Sequence, residues 1–193
     1  IIPVCNERDN LPGLLERLRA LPDFARYHLV FIDNASTDGS AEFLATLPGI
    51  TLVRHPANLG YGASLRSGMQ AATTDRFVII DADCEYPPEC IPQLLLALET
   101  ANVVYTSRLL DKPTAAAAGM LPLKWWGNRI ISAAYNSLFG QRTTDLYTGC
   151  KALRRQCLRN IELGRDGFEQ VLELAAKLAV RGYHIAEIPV DFA

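Results

Sequence analysis

The sequence contains no apolar run of the roughly 18–20 residues that a membrane-spanning helix requires, and no secretory leader is visible. It has no surplus of positive charge either: 19 Lys and Arg stand against 21 Asp and Glu, a formal net charge of −2. Binding to nucleic acid, which needs a basic face, is therefore not expected. Histidine is scarce, and His28, His55 and His184 all fall outside any motif. Cysteine is present without a pattern. Cys5, Cys84, Cys90, Cys150 and Cys157 are odd in number and include no C-x-x-C pair. This favours reduced, mostly buried thiols in a cytosolic compartment over a disulfide framework or a zinc site. Internal repeats are absent, and the one low-complexity stretch is the run Ala115–Ala118.

What remains is an ordinary globular composition, 49% hydrophobic and 21% charged over 193 residues, enough for one domain with a real core. Short apolar runs alternate with segments of helical period. "IIPV", "HLVFID", "ITLVRH", "RFVIID", "NVVYTSR" and "HIAEIPV" read as strands. Between them, "NLPGLLERLRAL", "DGSAEFLATL", "GYGASLRSGMQAA" and "PECIPQLLLALETA" place apolar residues three or four apart. The alternation predicts an α/β fold with a mostly parallel central sheet and helices on both faces. After Arg108 a Pro-containing, small-residue stretch from Leu109 to Pro122 reads as a mobile loop. An amphipathic helix over Lys124 to Gly140 and a strong helix ending at Gly182 follow it. The first residues already read as strand, without a Met, and the last lie just past another strand. The expectation is a single domain over residues 1–193, cut at both ends from something longer.

In parallel α/β sheets, ligands bind beyond the carboxyl ends of the strands, and the polar residues collect there. Asp33 and Asn34 close the second strand, Asp81 and Asp83 the fourth, Ser107 and Arg108 the fifth. Asp81 and Asp83, separated only by Ala82, repel each other unless a cation or hydrogen-bond donors intervene. With Glu85 beside them they suit Mg2+ or Mn2+ holding substrate phosphates. Taken alone, the pair serves equally well as a loop that caps the next helix.

"IIPVCNERDNL", "FIDNASTDGS" and "VIIDADCEYPPE", followed by "TSR", "WWGNR", "NSLFG", "TDLYTGCKALRR" and "EIPV", give an ordered pattern over nearly the whole chain. It resembles the inverting, GT-A-fold (Rossmann-like) glycosyltransferases of family 2, in particular dolichyl- or polyprenyl-phosphate mannose and glucose synthases. The resemblance implies one glycosyltransferase catalytic domain that moves a hexose from a GDP- or UDP-sugar to a polyprenyl phosphate. It puts Pro3, Cys5 and Glu7 on base-contacting positions, with Asp33, Asn34, Asp81 and Ala82 also on the nucleotide sugar. It assigns Asp83 and Glu85 to the metal. Cys5 stands where an aromatic residue is common, and Asn34 where a second aspartate is frequent. Asn58 to Gly62, a glycine-rich helix entrance, reads as a phosphate cradle or as close packing.

Arg108, Arg129 and Lys151 form the cationic set that the resemblance places on the acceptor phosphate or the diphosphate, with Asp145 orienting one of them. Arg154 and Arg155 read as solvated surface cations. Either Glu169 or Glu173 is expected to face the site. A hydroxyl acceptor needs a general base, and no histidine is placed to serve. A phosphate acceptor is already anionic. Trp125, Trp126, Ile130, Ile131, Tyr135 and Phe139, with Lys124 and Arg129, suit contact with a membrane surface or plain core packing. The expected location is thus cytoplasmic, at the inner face of a membrane. The rival readings are transfer to a sugar hydroxyl in cell-envelope glycan synthesis, a nucleotidyltransferase, and a non-catalytic nucleotide-sugar binding module.

Overall fold

The structure is a computed structural model that describes residues 1–110, 112, 114 and 120–191. The Ala115–Ala118 run lies outside the described residues, as does much of the loop expected between Leu109 and Pro122. Strands β1 (Ile2–Val4), β2 (Val30–Asp33) and β3 (Thr51–Arg54) pair in parallel in the order β1-β2-β3. A second set, β4 (Arg76–Ile79), β5 (Val103–Ser107), β6 (Lys151–Arg154) and β7 (Ile185–Pro189), runs in the order β4-β6-β5-β7. Ile1 joins the two sets: its nitrogen donates to the Val78 carbonyl at 2.7 Å and its carbonyl accepts from Ile80 N at 3.1 Å.

The sheet is mostly parallel because helices return the chain across its faces. Helices α1 (Leu11–Arg19), α2 (Ser40–Ala45) and α4 (Ile91–Ala97) cover one face and bury Leu11, Leu14, Leu18, Leu44 and Leu94, with α2 on β2 and β3 and α4 on β4, β5 and β6. The other face carries α3 (Tyr61–Ala71) and α6 (Glu169–Val180), which bury Leu65, Met69, Leu174 and Leu178. Tyr135 of α5 (Pro122–Phe139) joins that second core. Four buried residues in β2 and five in β5 are the mark of strands covered on both sides. The α6 terminus forms as its sequence predicts. Gly182 takes φ +81, and Tyr183 N reaches back to the Leu178 carbonyl at 3.1 Å.

One strand escaped the sequence reading. β6 is antiparallel to both neighbours, and it separates β4 from β5. Arg154 and Arg155 at its end are not solvated surface cations. Arg154 Nε donates to the Leu98 carbonyl at 3.0 Å, just past α4. Arg155 Nη1 donates to the Met69 carbonyl at 3.3 Å and Nε to the Thr74 carbonyl at 2.8 Å, at the end of α3. Both satisfy carbonyls that a helix end leaves unpaired, where its dipole favours a cation.

Candidate active site

The carboxyl ends of β1, β2, β4 and β5 open onto a cleft of about 920 Å³. Pro3, Cys5 and Glu7 line it from β1, Asn34 from β2, Asp81, Ala82, Asp83 and Glu85 from β4, and Arg108 from β5. Three of these strand ends turn through left-handed residues that are not glycine: Asn6 at φ +60, Ala35 at φ +60 and Cys84 at φ +63. Such backbone is costly for an L-residue and collects where geometry matters more than stability. Cys84 stands between Asp83 and Glu85. There the Asp83 Oδ1 accepts the Glu85 amide at 3.0 Å, closing a turn that brings both carboxylates to the cleft.

Asp81 is half-buried behind them. Burial raises its carboxyl to about 6; a hydrogen bond from Tyr61 and the charge of Lys151 work against the rise, and Asp83 and Glu85 add to it. Burial and Asp83 likewise push the Glu85 carboxyl upward, while Lys124 and Arg108 pull it down. Among the described residues no cluster of three or more His, Cys, Asp and Glu side chains is arranged to hold a metal ion. Asp83 and Glu85 are thus a partial ligand set. They fit a hard cation that takes its other ligands from phosphate and water, as Mg2+ commonly does. The mutual repulsion of the acidic group is what such an ion would relieve.

Arg108 is 9% exposed and fixed by Asp145, which is fully buried. The guanidinium Nε and Nη2 donate to the two Asp145 oxygens at 2.7 and 2.8 Å, and Nη2 also reaches the Tyr147 carbonyl at 3.3 Å. Burial opposes the charge on Arg108, but the bidentate pairing with Asp145 outweighs it and the pKa rises. Asn128 donates to Asp145 as well. Glu187 braces the same loop, accepting from Thr144 N at 2.9 Å and Asp145 N at 3.0 Å. Asp145 therefore orients a cation, as the sequence suggested.

Three expected residues are not at the cleft. Asp33 is buried, accepts the Ser36 amide at 3.2 Å in an Asx-type turn, and faces a separate hollow of about 500 Å³ with Arg54 and His55. Arg129 lies over the Trp125 ring at 4.8 Å and does not line the cleft. The α5 positions that reach it are Lys124, Gly127, Asn128 and Ile131, spaced three and four apart; Arg129 is one residue, or about 100°, out of that row. Lys151 is fully buried in the central strand β6, its Nζ 5.2 Å from the Tyr105 ring centroid and without a hydrogen-bond partner among the described residues. It lies beneath the cleft, within reach of the charges on Asp81, Asp145 and Arg108, but does not line it.

Other expectations resolve in detail. Asn34 accepts Leu59 N at 2.9 Å and donates to Asn58 Oδ1 at 2.8 Å, so it ties down the loop before α3 as well as lining the cleft. His55 bridges Asn34 and Ser67, and His28 pairs with Thr51: both are structural. Asp38 accepts Ser40 N at 2.9 Å and Arg8 N at 2.8 Å, clipping two loops together. The α3 entrance is not an open phosphate cradle, because Gly62 N and Ala63 N already donate to the Asp166 carbonyl at 2.6 and 3.3 Å. Neither Glu169 nor Glu173 lines the cleft; Gly167 and Phe168 do. Glu173 instead holds the preceding loop through Gly164 N at 2.9 Å and Arg165 N at 2.9 Å. Tyr61, Asn128, Gly149 and Phe168 are cleft residues that the sequence reading did not assign. Tyr61, Asn128 and Gly149 fall inside the quoted "GYGASLRSGMQAA", "WWGNR" and "TDLYTGCKALRR" stretches, and Phe168 directly precedes Glu169, a candidate for the site.

The fold is shared with glucosyl-3-phosphoglycerate synthase from Mycobacterium tuberculosis. One structure of that protein, in complex with Mn2+, UDP-glucose and phosphoglyceric acid, superposes with a TM-score of 0.70 at 22% identity, over 98% of this chain and 68% of that one. The likeness confirms the GT-A arrangement expected from the sequence. Among curated proteins, the chain is 30% identical to an undecaprenyl-phosphate mannosyltransferase of Micrococcus luteus, over all of this chain and 82% of that protein. It is 27% identical to a dolichol-phosphate mannosyltransferase of Pyrococcus furiosus, again over its full length but over only 55% of the relative. The chain thus spans little more than half of that archaeal protein. The family model described as "Glycosyl transferase family 2" matches residues 1–162, a stretch that holds every strand end lining the cleft, and the chain belongs to that family.

Proposed function

We propose that this chain is the catalytic domain of a metal-dependent, inverting glycosyltransferase that moves a hexose from a GDP- or UDP-sugar to a polyprenyl phosphate at the cytoplasmic face of a membrane. The observation that carries this reading is one cleft lined by both carboxylates and cations. Asp81, Asp83 and Glu85 line it together with Lys124 and with Arg108, which buried Asp145 fixes. The carboxylates suit a divalent cation, Mg2+ or Mn2+, whose chemistry is to neutralise a departing diphosphate. Asp83 and Glu85 would hold it. The basic side chains suit a second anion, the acceptor phosphate.

In the transfer, an oxygen of the acceptor phosphate forms a bond to the anomeric carbon as the bond from that carbon to the diphosphate oxygen breaks. The diphosphate leaves with the electron pair, and in-line attack inverts the centre. Among the described residues no histidine lines the cleft, which suits a nucleophile that needs no deprotonation. The polyprenyl-phosphate transferases among its relatives support the same acceptor class. Exposed apolar residues on α5 support approach from a bilayer.

The test is transfer of labelled mannose or glucose from GDP-mannose or UDP-glucose to a polyprenyl phosphate by the full-length protein. The expected product is a lipid-linked sugar, formed with Mn2+ or Mg2+, abolished by chelation and cut at least a hundredfold by Asp83→Ala. Transfer only to sugar hydroxyls would overturn the acceptor, and chelation-resistant turnover would overturn the metal.

A further inference from the structure

Asp81 is gripped from two sides by groups that neither the metal nor the cations explain. Its Oδ1 accepts a hydrogen bond from the Tyr61 hydroxyl at 2.8 Å. Its Oδ2 rests against Gly149, where an added Cβ would come within 2.3 Å of it. Tyr61 is itself held. It opens α3, and its ring stacks on Phe168 with centroids 5.0 Å apart and planes 12° from parallel. Phe168 is anchored in turn. The segment before it is tied to the same helix by the Asp166 carbonyl on Gly62 N, by Arg66 Nη1 on the Arg165 carbonyl at 2.6 Å and by the Arg66–Asp166 ion pair. The Tyr61 hydroxyl therefore stands at a fixed point in the cleft wall. Without it, a half-buried carboxylate beside Asp83 and Glu85 has every electrostatic reason to rotate away from them. Fixing a rotamer before binding removes an ordering cost that the ligand would otherwise meet.

Building on the reading of this cleft as a donor site, we propose that Tyr61 is a positioning residue: its hydroxyl locks the Asp81 carboxylate in the orientation that receives the nucleotide sugar, with Gly149 as the opposing wall. Tyr61 acts through Asp81 and does not itself contact the reacting atoms. Tyr61→Phe deletes the hydroxyl and keeps the ring on Phe168, so the variant folds with an unchanged stack.

The experiment is calorimetric binding of UDP and GDP, each with Mn2+, to wild type, Tyr61→Phe, Asp81→Asn and the double variant, with melting temperatures alongside. The expected result is a dissociation constant raised about tenfold in Tyr61→Phe, the worth of one hydrogen bond. The same substitution should have no further effect in the Asp81→Asn background. Wild-type binding left unchanged by Tyr61→Phe would overturn the proposal. So would an equal loss in both backgrounds, which would mean that Tyr61 acts on the ligand or the fold independently of Asp81. Failure of wild type to bind either nucleotide would overturn the donor-site reading, and this proposal with it.

Discussion

A lysine ammonium buried completely and without an acceptor is a standing cost to the fold, and among the described residues Lys151 is in that position. Burial, only partly offset by Asp81, lowers its pKa from 10.5 to about 8. Below pH 8 both folded and unfolded chains hold the proton, so the whole penalty weighs on the native state. Between 8 and 10.5 the unfolded chain binds more protons, and stability rises with pH. Lys151→Met should therefore melt higher than wild type at pH 7, by on the order of 2 kcal/mol. The gap should narrow as pH climbs from 8 towards 10. Nucleotide binding should weaken in the same variant, since the ammonium also favours the charge on Asp81. Thermal melts at pH 7 and pH 10 check the first expectation; a variant less stable at both would mean that Lys151 is net stabilising. The sequence could mark Lys151 as a cation at a motif position, but not as one buried beneath the cleft.

Gly60 and Gly62 show how an element's position, more than its composition, sets a residue's tolerance. At Gly62 a Cβ would come within 2.4 Å of the Arg165 carbonyl and 2.6 Å of Gln170 Cβ. The loop before α6 packs directly on the first turn of α3. Gly62→Ala raises intrinsic helix propensity by about 1 kcal/mol but forces the two apart, so a net loss of about 1–3 kcal/mol is expected from overpacking. Denaturant melts read it; a stabilised Gly62→Ala would mean that the loop yields without cost. This contact also marks where the sequence stops being informative. The alternation of apolar strands with helical periods gave six of the seven strands and the covering of both faces, because burial imposes those patterns locally. β6 stayed hidden because "KALRR" carries charge at both ends: carbonyls near the ends of α3 and α4, distant in the chain, take up the arginines, and Lys151 is buried with no hydrogen-bond partner among the described residues. Asp81, Asp83 and Glu85 marked either a cation site or a helix cap, and the ordered motifs around them favoured the first. The separation of Arg129 from the cleft depended on the rotation of α5, which an amphipathic pattern with apolar residues on several sides leaves undetermined.

At the scale of the whole molecule, the proposed polyprenyl phosphate acceptor raises the question of how a cleft meets a chain that lies in a bilayer. Among the described residues no helix is long and apolar enough to cross a membrane. α5 instead divides its circumference. Trp125, Asn128, Ser132 and Tyr135 are buried; Lys124, Gly127 and Ile131 line the cleft; Leu123, Trp126, Ile130 and Leu138 face outward at 85%, 59%, 64% and 77% exposure. An outward apolar stripe beside Lys124 and Arg129 has the make-up of an interfacial helix, with rings at headgroup depth and cations on lipid phosphates. Each inserted side chain contributes on the order of 1–2 kcal/mol, so two charges placed in the stripe should abolish binding. Trp126→Glu with Ile130→Glu is expected to stop co-sedimentation with anionic vesicles while nucleotide binding and melting temperature stay as in wild type. Transfer to a long-chain polyprenyl phosphate in vesicles should fall by tenfold or more, and transfer to a short, water-soluble analogue should persist. That difference separates delivery from chemistry: loss with both acceptors would assign the stripe to the fold of the site, and loss with neither would leave α5 without a part in reaching the lipid.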